Sequence, residues 1–178
     1  MSKILLIGAS SAIAQALQEN SDKEFIALSR SAGTLDLEGD LAELDDLGPI
    51  SGMVYFPGTI NLKPFAMLKE EDYLADFNVN VLGAVKVLKK VINNLKEAGG
   101  ASVVFVSSVA ANLGLPYHAS IAASKSALEG LAKSLASEYS SAKVQSRTPV
   151  SGLILCLGLQ GQLGYHRRGA TERTRLEK

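Results

Sequence analysis

Short apolar runs, each closed by turn residues and followed by an amphipathic stretch, recur along most of the chain. Residues 4–7, 25–28, 53–56 and 103–106 are apolar without alternation, the pattern of strands buried on both faces. Between the third and fourth runs, Leu74, Phe77, Val81, Ala84, Val85, Leu88, Val91, Ile92 and Leu95 recur at spacings of three and four residues. That spacing predicts one long helix with a single apolar stripe, ended by Gly99-Gly100. A second helix is predicted over about 120–139, with Ala123, Leu128, Leu131, Ala132 and Leu135 on its apolar side. Buried strands alternating with helices imply an α/β fold with a Rossmann-type, doubly wound, mostly parallel sheet. Such a sheet binds ligands outside the carboxyl ends of its strands.

Length and composition narrow this picture. A chain of 178 residues with 47% apolar content makes one domain, and a formal net charge of +0 gives no reason to expect nucleic acid or an anionic membrane as partner. A small-molecule substrate is the partner that remains. Cys156 is the only cysteine, which excludes an internal disulfide and a cysteine-built zinc site. The apolar run after Met1-Ser2-Lys3 is too short for a signal peptide and no run is long enough to span a bilayer, so the expected location is the cytoplasm. From about Ala142 the character changes: five of the six arginines lie beyond it, and no Asp follows Asp76. Residues 1–141 are therefore read as the Rossmann-like domain. Residues 142–178 are read as an atypical segment, with one strand at 153–157 and a frayed, charged tail. No internal repeat is present.

The first run leads directly into Gly8-Ala9-Ser10-Ser11-Ala12-Ile13-Ala14 and a helical pattern, where a dinucleotide-binding fold carries its glycine-rich turn. A turn without bulky side chains lets backbone N–H groups and the positive end of a helix approach a pyrophosphate. Gly8, Ser10, Ser11, Ala12 and Ile13 are thus candidate cofactor contacts, although the segment also reads as an ordinary strand-to-helix turn. The second run ends in Ser29-Arg30-Ser31, 22 residues beyond Gly8, close to the offset of about 20 at which this fold reads the adenosine ribose. No carboxylate stands there, and the guanidinium of Arg30 suits a 2′-phosphate, so NADP(H) is the expected cofactor. An isolated arginine is more commonly a solvated surface residue.

Three further segments complete a pattern: Val79-Asn80-Val81-Leu82-Gly83, Ser107-Ser108, and Ile121-Ala122-Ala123-Ser124-Lys125. With the Gly8 loop, their order and spacing resemble the short-chain dehydrogenase/reductase family over about residues 3–139. The family's loop is Gly-x-x-x-Gly-x-Gly; here Ala12 and Ala14 replace two glycines, and a slightly altered loop is expected wherever the turn needs positive φ. The resemblance places Asp36 near the adenine, after the family's third strand. It places Gly58 in the turn that is usually Asn-Asn-Ala-Gly and here reads Tyr55-Phe56-Pro57-Gly58. It gives Asn80 a water-holding role in a proton relay, and Ser108, in preference to Ser107, a hydrogen bond to the substrate oxygen. Lys125 takes the place of the lysine in Tyr-x-x-x-Lys.

The tyrosine position is Ile121, and isoleucine cannot trade a proton. A positioned general acid contributes roughly 10²–10⁴-fold in rate, so the hydride step is expected to be slow without a substitute. Lys125 keeps donors for the nicotinamide ribose. His118, rather than Tyr117, is the candidate substitute: with the helix begun by Tyr117, its imidazole lies on the Ile121/Lys125 face, and its ordinary pKa of about 6.5 suits proton transfer. Each residue also has an ordinary account: a helix-start histidine, a polar strand cap for the serines, and a buried asparagine in a kinked helix.

Beyond residue 139 the family continues with a strand ending in Asn and Pro-Gly, a substrate-covering loop and a final strand. Only Pro149 falls near the expected place, so the domain is expected to lack its last strand or strands, and a shifted reading frame or truncated gene is the hypothesis for this region. The sequence thus implies an NADP(H)-dependent oxidoreductase acting on a carbonyl or alcohol. The alternative is a catalytically impaired cofactor-binding or interaction protein of the same fold. In relatives the two long helices also form subunit contacts, which implies a homo-oligomer through them.

Overall fold

The computed structural model describes residues 3–147 and 150–151. The four apolar runs form β1 (Lys3–Ile7), β2 (Glu24–Leu28), β3 (Ile50–Tyr55) and β4 (Ala101–Phe105), with ends displaced by no more than three residues. β5 (Ser107–Ser108), β6 (Val144–Arg147) and β7 (Val150–Ser151) follow. The helices are α1 (Ala12–Glu19), α2 (Glu70–Phe77), α3 (Gly83–Glu97), α4 (Ala110–Leu113) and α5 (Ala119–Glu138).

The main sheet has the order β2-β1-β3-β4-β6 and is parallel throughout, while β5 and β7 form a separate parallel pair. The chain winds one way from β1 to β2 and the other way from β3 to β4 and β6. Right-handed crossovers in opposite directions put α1 on one face and α3 and α5 on the other. On the second face Leu5, Ile7, Met53, Tyr55, Val103 and Phe105 join Ala84, Val87, Leu88, Val91, Leu95, Leu128 and Ala132 in one core. Leu6 and Ala14 are fully buried outside that cluster. The reversal of strand order lies between β1 and β3, so the crevice for a ligand opens at their carboxyl ends. Among the described residues no helix is long and apolar enough to cross a membrane.

Four expectations are corrected. The stripe from Leu74 to Leu95 is not one continuous helix, because a π-helical turn at Asn78–Leu82 separates α2 from α3. An extra residue in a turn rotates everything before it about the axis. Leu74 and Phe77 consequently stand exposed, while Asp76 and Asn80 are buried with Val81. In α5, Ala123 faces outward, and Ser124 and Lys125 take inward positions beside Ile121 and Leu128. Asp36 does not follow a third strand: between β2 and β3 the chain forms only a 3-10 turn at Ala42–Leu44, and Leu35, Leu41 and Leu44 of this connection plug the core. Finally, the sheet takes a strand at Val144–Arg147, paired with β4 from Ala101↔Val144 to Val104↔Arg147. The predicted strand at 153–157 lies outside the described residues, as does the region of the family's last strand.

Candidate active site

Two loops meet at the switch point. Gly8 closes β1 with φ +79, and a Cβ there would come within 3.1 Å of Pro57 Cδ and 3.2 Å of Phe56 Cβ, so only glycine fits both the backbone and the space. The amides of Gly8 and Ala9 donate to the Leu28 carbonyl at 2.8 and 3.0 Å, tying the turn to the end of β2. Ser11 caps α1, its side chain accepting from the Ala14 amide at 3.2 Å. The amides of Ala12 and Ile13, in the first turn, have no intrahelical carbonyl to reach and face the crevice with the positive end of the helix. Ser10 is exposed beside them. Neither Ala12 nor Ala14 has positive φ, so the methyl groups cost no backbone strain; Ala14 is fully buried.

Arg30 follows β2, two residues beyond the carbonyl that holds the Gly8 turn. Its own turn is set by buried Ser29, whose amide donates to Thr34 Oγ1 at 2.9 Å and whose Oγ accepts from the Ala32 amide at 3.3 Å. Arg30 is exposed, and no carboxylate pairs with it among the described residues. Asp36 is also exposed, its carboxylate accepting from the Glu38 amide at 3.0 Å in a local turn.

The second centre is built around Gly58. A Cβ on Gly58 would stand 3.2 Å from Asn80 Oδ1 and 3.2 Å from Lys125 Nζ, so the bare glycine leaves a cradle between them. Lys125 is 6% exposed, and its ammonium donates to the Val106 carbonyl at 2.8 Å; burial pulls its pKa from 10.5 down to about 8. Asn80 is fully buried. Both its amide hydrogens are used, towards the Asp76 carbonyl at 2.7 Å and Thr59 Oγ1 at 3.1 Å, while Oδ1 has no partner. A buried unpaired acceptor of this kind is uncommon and marks a place where a ligand or water belongs.

The π-helical turn that presents Asn80 is tied to the sheet by Tyr55, whose hydroxyl donates to the Val79 carbonyl at 2.6 Å. Tyr55 stands at the first position of the turn that reads Tyr55-Phe56-Pro57-Gly58, and its hydroxyl supplies a link from strand to helix. Ser107 is 1% exposed and donates to Glu129 at 2.6 Å, whereas Ser108 is half-buried and its Oγ accepts from the Ala110 amide at 3.2 Å, which leaves its proton available.

The structure thus assembles Gly58, Asn80 and Lys125 directly, with Gly8 packed on the turn that precedes Gly58. His118 is a correction. α5 begins at Ala119, and Tyr117 has φ +65, so His118 is the residue before the helix rather than a member of its inward face. Its Nδ1 lies 2.6 Å from the Pro116 carbonyl, which can only accept, so Nδ1 carries the proton and Nε2 of the neutral ring is the free base. It bonds none of Asn80, Ser108 or Lys125. Sequence reasoning missed Tyr55, Thr59 and Asp76. The one available signal was Asp76, an acid four residues before Asn80 on the helical pattern.

A family model described as short chain dehydrogenase matches residues 4–156. An uncharacterised oxidoreductase of Thermotoga maritima is 30% identical over 134 residues, which cover 69% of this chain and 53% of that protein. The chain spans about half of that relative's length. Among solved structures, an oxidoreductase of the short chain dehydrogenase/reductase family from Burkholderia thailandensis has a TM-score of 0.75 at 22% identity, covering 84% of this chain and 67% of the other. A 3-ketoacyl-(acyl-carrier-protein) reductase from Brucella melitensis, solved with NADH, also has a TM-score of 0.75, at 20% identity, covering 84% and 76%.

Proposed function

The chain belongs to the short-chain dehydrogenase family, and from that we propose that it is an NADP(H)-dependent oxidoreductase acting on the carbonyl or alcohol of a small molecule. The observation that carries this reading is the cradle at Gly58, with a desolvated ammonium on one side and an orphaned amide oxygen on the other. The cofactor fits the residues present. The Gly8 turn and the amides of Ala12 and Ile13, with Ser10 and Ser11, would hold its pyrophosphate, Arg30 its 2′-phosphate, Asp36 the adenine end, and Gly58, Asn80 and Lys125 the nicotinamide end. When bound, the reduced cofactor supplies a hydride. Ser108 orients the substrate oxygen through its free proton. Lys125 binds and neutralises negative charge near it, while His118, which precedes α5 and bonds no residue of the cradle, is given no part in proton exchange. Exposed Leu74 and Phe77 of α2 and Leu82 of the π-helical turn supply an apolar surface for association of subunits.

Isoleucine at 121 favours a second reading, a protein that binds the cofactor without turnover. Calorimetric titration with NADPH and NADH tests the first point: NADPH binds more tightly, and Arg30→Ala removes the difference. Absence of binding to both rejects the proposal. NADPH oxidation in the presence of a panel of ketones and aldehydes separates the two readings, since the enzyme turns over and loses that turnover in Lys125→Met.

A further inference from the structure

Asp76 is 1% exposed and belongs to none of the roles above. It accepts from the hydroxyls of Thr59, at 2.5 Å, and of Ser120, so its carboxylate joins α2 to the loop after β3 and to the start of α5. A carboxylate only accepts, so the Thr59 proton is committed to Asp76, and the remaining lone pairs of Thr59 Oγ1 must face a donor. That donor is Asn80 Nδ2, at 3.1 Å, whose other hydrogen goes to the Asp76 carbonyl at 2.7 Å. The reversed amide would set its oxygen against two acceptors. We infer that Asp76 and Thr59 are positioning residues that fix which end of the Asn80 amide faces Lys125, and so create a locus for one hydroxyl group or water. A hydroxyl satisfies both sides of the Gly58 cradle, accepting from Lys125 Nζ and donating to Asn80 Oδ1. This assignment rests on the proposed cofactor site only for the identity of the hydroxyl, which there belongs to the nicotinamide ribose.

The test uses Thr59→Val, which keeps the shape and removes the acceptor, Thr59→Ser, which restores it, and Asp76→Asn, whose amide can donate to Thr59 and release its proton. The titration of Lys125, followed by NMR on the side-chain carbon next to Nζ, responds to the amide end it faces. An oxygen stabilises the ammonium and an NH₂ group opposes it. The midpoint is expected to fall by about half a pH unit or more in Thr59→Val and Asp76→Asn and to return in Thr59→Ser. NADPH binding is expected to weaken about tenfold in the first two variants only. In the unaltered protein, both Asn80 side-chain amide protons are expected to exchange slowly. Folded Thr59→Val with an unchanged Lys125 midpoint, or rapidly exchanging Asn80 amide protons in the native chain, overturns the inference. If the unaltered protein binds neither NADPH nor NADH, the cofactor proposal fails, while the Lys125 midpoint and the amide exchange still decide the orientation.

Discussion

Replacing Gly83 by alanine tests whether the π-helical turn is held by the tyrosine beneath it. Gly83 is the first residue of α3, and a Cβ there would collide with the Tyr55 hydroxyl, while meeting Leu37 Cδ1 at 3.3 Å and the Asn78 carbonyl at 3.4 Å. Helix propensity alone favours alanine by about 1 kcal/mol. Against that, the fully buried Tyr55 cannot swing aside, and overpacking costs about 1–3 kcal/mol or more. The displaced hydroxyl also abandons the Val79 carbonyl, at about 1–3 kcal/mol for a buried group left unpaired. Gly83→Ala should therefore destabilise the protein by roughly 2–4 kcal/mol. Tyr55→Phe alone should cost about 1–3 kcal/mol, from the unpaired carbonyl. In the double variant the colliding oxygen is gone, so the methyl fits and the cost should be no greater than that of Tyr55→Phe alone. Urea denaturation of the four proteins at constant m yields the coupling, expected to be at least the Gly83→Ala cost, roughly 2–4 kcal/mol, in the sense of rescue. Costs that add within about 0.5 kcal/mol would refute the claim that Tyr55 and Gly83 act through one contact.

Gly8→Ala combines φ +79 with a Cβ against Pro57, so it should lose about 1–3 kcal/mol of stability and its binding of NADPH, whereas Ala12→Gly should leave binding within about twofold; thermal denaturation and calorimetry read both. The folded protein releases the Lys125 proton at about 8, while the unfolded chain holds it to 10.5, so the unfolded state carries more protons between those values and stability rises with pH there. Lys125→Met should accordingly be more stable than the native chain near pH 7, by at most roughly 3 kcal/mol, with the gap closing towards pH 10.5; a gap that does not depend on pH would remove burial as the cause. His118→Ala should leave NADPH-linked turnover and NADPH binding within about twofold, and a loss of about tenfold or more in steady-state kinetics would reinstate the histidine as the proton donor.

The main strands were legible because a strand buried on both faces needs a continuous apolar run, and 4–7, 25–28, 53–56 and 103–106 supply one each. The Gly8 turn was legible for a similar reason, since a positive-φ turn against neighbouring backbone leaves few residues that fit. The register of Asn80 and Lys125 was read from resemblance, and their convergence on Gly58 came only from the fold. The path of α2 into α3 was not legible. Spacing by three and four carries straight through Asn78–Leu82, and an extra residue in a turn leaves no mark in a pattern whose flanks are both helical. The position of His118 failed on a helix start, where one residue of positive φ moves the side chain off the face that spacing assigns.

By itself the sequence determined what depends on local periodicity and on residues with few alternatives: the parallel α/β architecture, the glycine turn at its switch point, and the absence of a phenol at residue 121. The tertiary structure alone decided which polar groups are satisfied. Asp76, Thr59, Tyr55 and Asn80 come from separate elements, and whether a buried oxygen such as Asn80 Oδ1 is left open depends on the donors that distant segments bring within about 3 Å. Hydrogen bonding is short-ranged and directional, so it is fixed by packing, and packing has no period along the chain.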